Sequence, residues 1–132
     1  MKLLADTSAL LALILADDRH HAAATQFMRK NPRMRLVMTD LILSEAVTHV
    51  RARADAARAV AFADDALRSR RYDIVFADIG LVQGALAQMR RFADKRLSLT
   101  DCASFELIER LGLDGAFTFD RDFRDCGFRM VP

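Results

Sequence analysis

Four carboxylates stand at positions in this chain where they could share one site. Asp6 directly follows the apolar segment 1–5, and Asp120 directly follows segment 115–119; both segments have the composition of strands. Open α/β sheets build their sites at the carboxyl ends of strands. Glu45 and Asp101 each fall on a predicted helix. Hard oxygen ligands from separate elements, without a cluster of Cys or His beside them, favour Mg²⁺ or Mn²⁺ over zinc.

Each of these acids also has a simpler interpretation. Asp6 could only cap the following helix, Asp101 could only suit the positive end of its own helix, and Asp120 could only form a turn. Glu45 lies beside the apolar face of its helix, where we expect little water, so it needs a cation that could be an arginine or a metal ion. We favour the metal, because one fold could bring all four acids to a single sheet edge.

Strands and helices alternate along the chain. The predicted strands cover residues 1–5, 36–38, 72–76, 115–119 and 128–131, and the predicted helices cover 9–16, 20–30, 41–53, 55–71, 79–92 and 100–111. Thr39 with Asp40 and Thr100 are the predicted caps of two of these helices, and a polar turn is predicted over 121–122. This pattern predicts one α/β domain over residues 1–132, with helices on both faces of a central parallel sheet.

Composition is typical of a globular domain, since 52% of the 132 residues are hydrophobic and 29% are charged. A net charge of +2 favours polyanionic partners only weakly. Two cysteines do not make a disulfide scaffold, so we expect a reducing, cytoplasmic location. The apolar N-terminus imitates a signal peptide, but Asp6 interrupts it and Asp17 ends the apolar run too early for a membrane span.

Four motifs, taken in order, resemble those of the PIN-domain nucleases. They are Leu4-Ala5-Asp6-Thr7-Ser8, the mid-chain helix with Glu45, Leu97-Ser98-Leu99-Thr100-Asp101, and Thr118-Phe119-Asp120-Arg121-Asp122-Phe123. The order and spacing match over essentially the whole chain. Within that family, this short form most resembles the VapC-type toxins of bacterial and archaeal toxin–antitoxin pairs.

The resemblance implies a three-layer α/β/α PIN-like domain that acts as an Mg²⁺-dependent endoribonuclease, with Mn²⁺ as a substitute ion. The implied site consists of an acidic quartet that holds metal and acts in catalysis, Asp6, Glu45, Asp101 and Asp120, and of two hydroxyls that support the metal or contact substrate, Ser8 and Thr100. In this assignment Glu45 orients or deprotonates the attacking water and the three aspartates coordinate. Asp122 either holds a second metal or faces solvent, and we favour the solvated interpretation.

Basic residues flank two of the acids and could bind RNA phosphates. Arginine predominates, and its guanidinium group forms paired bonds with phosphate. The residues concerned are Arg90, Arg91, Lys95 and Arg96 before Asp101, and Arg121 and Arg124 around Asp120. The alternative for each group is an ordinary solvated helix face or turn.

The resemblance further implies an RNA substrate, a cognate antitoxin protein and a homodimer, with the apolar helices between Leu41 and Phe62 serving these protein contacts. A haloacid-dehalogenase-like phosphatase would need a second acid where Ser8 stands, and a response-regulator receiver would need an acidic pair where Asp6 stands alone. The remaining alternative is a non-catalytic PIN-like module that binds protein or RNA. The presence of all four acids argues against that alternative.

Overall fold

A computed structural model describes residues 1–132, and five strands form its only sheet. The strands are β1 Lys2–Ala5, β2 Arg35–Thr39, β3 Tyr72–Val75, β4 Ala116–Phe117 and β5 Met130–Val131. Their order across the sheet is β3-β2-β1-β4-β5, and every neighbouring pair is parallel. All carboxyl ends therefore lie at one edge of the sheet, with β1 in the middle.

Seven helices flank this sheet. They are α1 Thr7–Ile14, α2 His21–Lys30, α3 Asp40–Arg53, α4 Ala56–Arg68, α5 Ile79–Arg91, α6 Leu99–Leu111 and α7 Arg121–Asp125. Parallel neighbours cannot be joined by tight hairpins, and helical crossovers supply the connections between them. The predicted α/β/α architecture with a central parallel sheet is confirmed. No helix combines the length and the apolar character that a bilayer span requires.

The core explains why the strand ends are firmly placed. Leu3 and Leu4 of β1 are completely buried, as expected for a central parallel strand that is covered on both faces. Phe105 of α6 and Phe123 of α7 are also completely buried, and their rings meet edge to face with centroids 5.0 Å apart. The aromatic contact anchors α6 and α7 to each other beneath the carboxyl edge of the sheet.

Two local predictions are wrong. Thr100 does not cap α6, because Ser98 is the N-cap: its hydroxyl accepts from the Asp101 amide while the Asp101 carboxylate accepts from the Ser98 amide. This reciprocal pair is a capping box, which requires an acid or amide three residues after the cap. The predicted polar turn over 121–122 is the start of α7, because the Asp120 carboxylate accepts from the Asp122 amide and caps a helix there.

Candidate functional site

Asp6 emerges from the carboxyl end of β1 and is only 5% exposed. Its carboxylate caps α1, and one oxygen takes all of its hydrogen bonds. Oδ2 accepts from Ser8 Oγ at 2.7 Å, from Thr118 Oγ1 at 2.8 Å and from the Ser8 amide at 3.4 Å. Oδ1 accepts no hydrogen bond, so it remains available to a ligand.

The Asp6 carboxyl group is electrostatically strained. Burial raises the pKa of Asp6 from 3.8 to about 6, against the lowering effect of the bonds from Ser8 and Thr118, and the nearby charges of Asp101 and Asp120 raise it further. Ionisation at neutral pH therefore costs free energy in the protein alone. A bound cation would reverse this effect, because an adjacent positive charge favours the ionised carboxylate.

Three further carboxylates meet at the same edge. Asp101 in the first turn of α6, and Asp120 and Asp122 at the start of α7, each place one oxygen within 4.8 Å of the others. All three side chains are half-buried. Asp122 is therefore part of the acidic group, its side chain is partly exposed to solvent, and its role as a ligand of a second metal stays a prediction.

The charges of this group are not neutralised by ion pairs within the protein. Burial raises the pKa of Asp101, and the charges of Asp120 and Glu45 raise it further. Burial likewise raises the pKa of Asp122, with an added contribution from Asp120. None of these acids forms an ion pair with a basic side chain within 4.0 Å. A compact set of hard oxygen donors without ion-pair partners fits a divalent cation.

Glu45 lies beside this group on α3. Its charge reaches Asp101, but its carboxylate is outside the tight group of three. The side chain is half-buried, so the expected shielding from water is only partial. No arginine pairs with Glu45, which removes the structural interpretation that competed with a role near a metal.

Comparison with known proteins matches residues 3–129 to the PIN domain. The chain belongs to the PIN-domain family. The 23S rRNA-specific endonuclease VapC20 of Mycobacterium tuberculosis is 31% identical over 127 residues, which cover 96% of this chain and 95% of the relative. The crystal structure of that species' VapC20, described as a Sarcin-Ricin loop cleaving toxin, superposes with a TM-score of 0.89 at 28% identity and covers 98% of each chain.

Two more distant structures share the fold of this PIN domain. VapBC2 from Rickettsia felis, bound to a promoter DNA fragment, has a TM-score of 0.74 at 10% identity and covers 99% of this chain and 98% of that one. A toxin–antitoxin complex from Klebsiella pneumoniae has a TM-score of 0.69 at 14% identity, with 98% and 96% covered. The family predicted from the motifs is thus confirmed.

Hydroxyl groups position the buried aspartate of the PIN domain. Ser8 Oγ lies 3.2 Å from Thr118 Oγ1 and accepts from the Phe119 amide, while Thr118 Oγ1 also accepts from the Asp120 amide. These hydroxyls tie the end of β4 to Asp6. Sequence reasoning missed Thr118, although its position two residues before Asp120 at a strand end was a usable signal.

Thr100, the other hydroxyl residue implied by the resemblance, forms no hydrogen bond with the acids. Its carbonyl accepts from Ser104 Oγ, and its hydroxyl makes no hydrogen bond. Ser98 binds Asp101 instead, through the capping box. The role of the Thr100 hydroxyl at the metal or the substrate stays a prediction, and Ser98 is the hydroxyl residue near Asp101 to which the sequence analysis gave no role.

The basic residues that flank the acids differ in availability. The positive charge of Lys95 reaches Asp122 and opposes the rise of its pKa, which burial and the charges of Asp120 and Asp125 cause. Arg91 is occupied, since it pairs with Glu109 at 2.9 Å and lies over the Phe92 ring. Arg124 lies 3.9 Å from Asp125. The flanking arginines that are exposed and form no ion pair are Arg90, Arg96 and Arg121.

Proposed function

We propose that this PIN domain is an Mg²⁺-dependent endoribonuclease that hydrolyses RNA phosphodiester bonds, with Mn²⁺ as an effective substitute. The observation that carries the proposal is the convergence of Asp101, Asp120 and Asp122 beside the buried Asp6, with no ion pair from a basic side chain to any of them. The 31% identity to an rRNA endonuclease over 96% of the chain supports the same activity.

The side chains have separate tasks in this reaction. A bound divalent cation supplies Lewis acidity to the phosphate and makes water more acidic. Asp6, Asp101 and Asp120 hold that ion, and Asp122 offers a further oxygen. Glu45 would orient the attacking water and accept its proton as the water oxygen bonds to phosphorus and the phosphorus–oxygen bond to the leaving group breaks; the leaving oxygen would take a proton from solvent. Ser8 and Thr118 fix the orientation of Asp6, because both donate to its Oδ2 and leave Oδ1 free.

We also propose that the chain is the toxin of a type II toxin–antitoxin pair, acts in the cytoplasm, binds a cognate antitoxin and forms a homodimer. The toxin assignment follows the description of VapC20. Exposed apolar side chains support a protein interface, because their exposure to water is unfavourable and a bound partner would cover them. They include Val60 and Leu67 on α4 and Phe76 and Ile79 around the start of α5.

The test is RNA cleavage by the purified protein in Mg²⁺, in Mn²⁺ and in chelator. Substrates are an unstructured RNA and a stem-loop with the sarcin–ricin sequence named for VapC20. Asp6→Asn removes one charge at nearly constant shape, and Asp64→Asn, at an exposed position without an ion pair, is the matched control. We expect metal-dependent cleavage that falls at least about 100-fold in Asp6→Asn and is retained in Asp64→Asn.

Two outcomes would contradict the proposal. Cleavage that persists in chelator and in Asp6→Asn would place the activity outside the acidic group. A folded protein that binds RNA and cleaves none would favour the non-catalytic binding module.

A further inference from the structure

A groove lined by arginines lies at the amino-terminal ends of β2 and β3, at the end of the sheet opposite the acids. Leu36 of β2 pairs with Tyr72 of β3, and the Leu36 amide donates to the Arg71 carbonyl at 2.8 Å. This register brings together the loops that precede the two strands. The groove between them has a volume of about 320 Å³ and is lined by Arg33, Arg35, Ser69, Arg70 and Arg71, among others. We call it the arginine groove.

On one side of the arginine groove, a single carboxylate forms the ion pairs with two basic residues. Arg35 Nη2 lies 2.6 Å from Asp73 Oδ1, and Lys2 Nζ lies 3.2 Å from Asp73 Oδ2. Two positive charges thus share one negative charge. The side of the groove formed by Arg35 therefore keeps a net positive charge even after this pairing.

The other three arginines of the groove have no acidic partner. Arg71 Nη2 donates to the Pro32 carbonyl at 3.4 Å, which orients the guanidinium group without neutralising it. Arg33 and Arg70 are exposed and form no ion pair. Because like charges repel one another, this arrangement has no evident stabilising role in the protein alone. It fits a ligand with several negative charges.

We propose that the arginine groove binds the phosphodiester backbone of the RNA substrate at nucleotides away from the cleavage site, an inference that rests on the proposed function. A guanidinium group can bind two phosphate oxygens at once, and the four arginines of the groove can contact successive phosphates. An RNA held at the acids is tethered to the protein, so a second contact raises affinity through effective concentration.

The arginine groove acts on RNA binding and not on the chemical step. The stretch from Arg35 to Thr39 in β2 spans about 13 Å at the usual rise per strand residue, so the groove lies at least that far from the acidic edge. At this distance guanidinium groups cannot touch a reacting phosphate. Folded RNA is wide enough to reach both edges.

The experiment compares two double variants that remove the same charge. Arg33→Gln with Arg70→Gln alters the groove, whereas Arg51→Gln with Arg129→Gln removes two exposed arginines that line no part of it and form no ion pair. RNA affinity is measured for the full chain in chelator between 50 and 300 mM salt, roughly the range in which phosphate contacts dominate. Urea unfolding is measured alongside.

We expect the groove variant to lose about 25- to 60-fold in affinity at about 0.1 M salt, and the slope of log affinity against log salt to flatten by about 1.4 to 1.8, as for two lost phosphate contacts. The control variant should keep affinity and slope, and both should keep the urea midpoint of the parent. A fall in midpoint that parallels the fall in affinity would indicate a structural role and overturn the proposal.

The remaining outcomes separate this proposal from the proposed function. Unchanged RNA affinity in the groove variant, or equal losses in both double variants, would overturn the groove as an RNA site even if the protein cleaves RNA. The predicted loss of affinity in a protein that cleaves no RNA would support the groove and refute the nuclease. A protein that neither binds nor cleaves RNA would refute both.

Discussion

The buried carboxyl group of Asp6 predicts an unusual dependence of stability on pH in the metal-free protein. Its pKa is raised to about 6, from 3.8 in the ordinary state, chiefly by burial. A raised pKa means that the folded protein holds the proton more tightly than the unfolded chain. The contribution of Asp6 to stability is therefore fully present below about pH 4 and is lost as pH rises through about 6.

The magnitude follows from the two pKa values. Their difference is about 2.2 pH units, and each unit corresponds to about 1.36 kcal/mol. Asp6 thus lowers the free energy of unfolding by up to about 3 kcal/mol between pH 4 and pH 7.5. Asp6→Asn resembles the protonated carboxyl group, so the variant is expected to be more stable than the parent at pH 7.5 by up to that amount.

Urea unfolding between pH 4 and pH 7.5 in chelator measures this effect. The quantity of interest is the free energy of unfolding of the parent minus that of Asp6→Asn, because the titration of groups that do not interact with Asp6 cancels in the difference. Asp64→Asn, exposed on α4, should show no such trend. Saturating Mg²⁺ should remove most of the trend in the parent, since the ion binds the ionised carboxylate and stabilises the folded state.

A difference between parent and Asp6→Asn that is constant across this pH range would refute the reasoning, because it would mean that Asp6 ionises in the protein as easily as in the unfolded chain. The same conclusion would follow if the parent became more stable relative to the variant as pH rose.

Two other substitutions test how the site is held. Ser98→Ala removes the hydroxyl half of the capping box with Asp101 and should lower the free energy of unfolding by about 1 kcal/mol in urea; an unchanged midpoint would show that the box contributes nothing. Gly115→Ala should cost more than about 2 kcal/mol, because φ is +150° and the new Cβ would lie 2.6 Å from the Arg129 carbonyl oxygen. Gly127→Ala also has a positive φ but meets open space, so an equal cost in both glycine variants would contradict the steric argument.

Most of the fold could be predicted because its signals are local. Each predicted strand and long helix is present with ends shifted by a few residues, and the alternation of the two implies parallel pairing. The helix α7 was missed because its five residues are too few to show a helical period. The helix α7 is stabilised by the Asp120 cap and by burial of Phe123. The local sequence indicates the cap, but burial of Phe123 depends on the tertiary structure.

The site was less predictable because its details depend on tertiary contacts. Asp6, Asp101 and Asp120 could be named individually from their places beside strands and helices. Asp122 could not be assigned to the acidic group, because it joins that group only when residues 121–125 form the helix α7 and not the predicted turn. The hydroxyl of Thr118 contacts Asp6 across 112 residues of sequence, a pairing that follows from the register of β1 with β4. The catalytic assignment of the quartet stays a prediction until Asp6→Asn is assayed.

The parallel sheet separates two kinds of charge that would otherwise neutralise each other. The carboxylates of the site gather at the strand ends, and the four arginines of the groove lie at the beginnings of β2 and β3, about 13 Å away or more along β2. This distance exceeds the Debye length of about 10 Å at 0.1 M ionic strength, so the arginine groove scarcely affects the acids through solvent. Among the acids, the flanking Arg121 is exposed and forms no ion pair, so it leaves the carboxylates free for a cation. The opposite placement lets the same chain hold a cation at one edge and polyanionic RNA at the other.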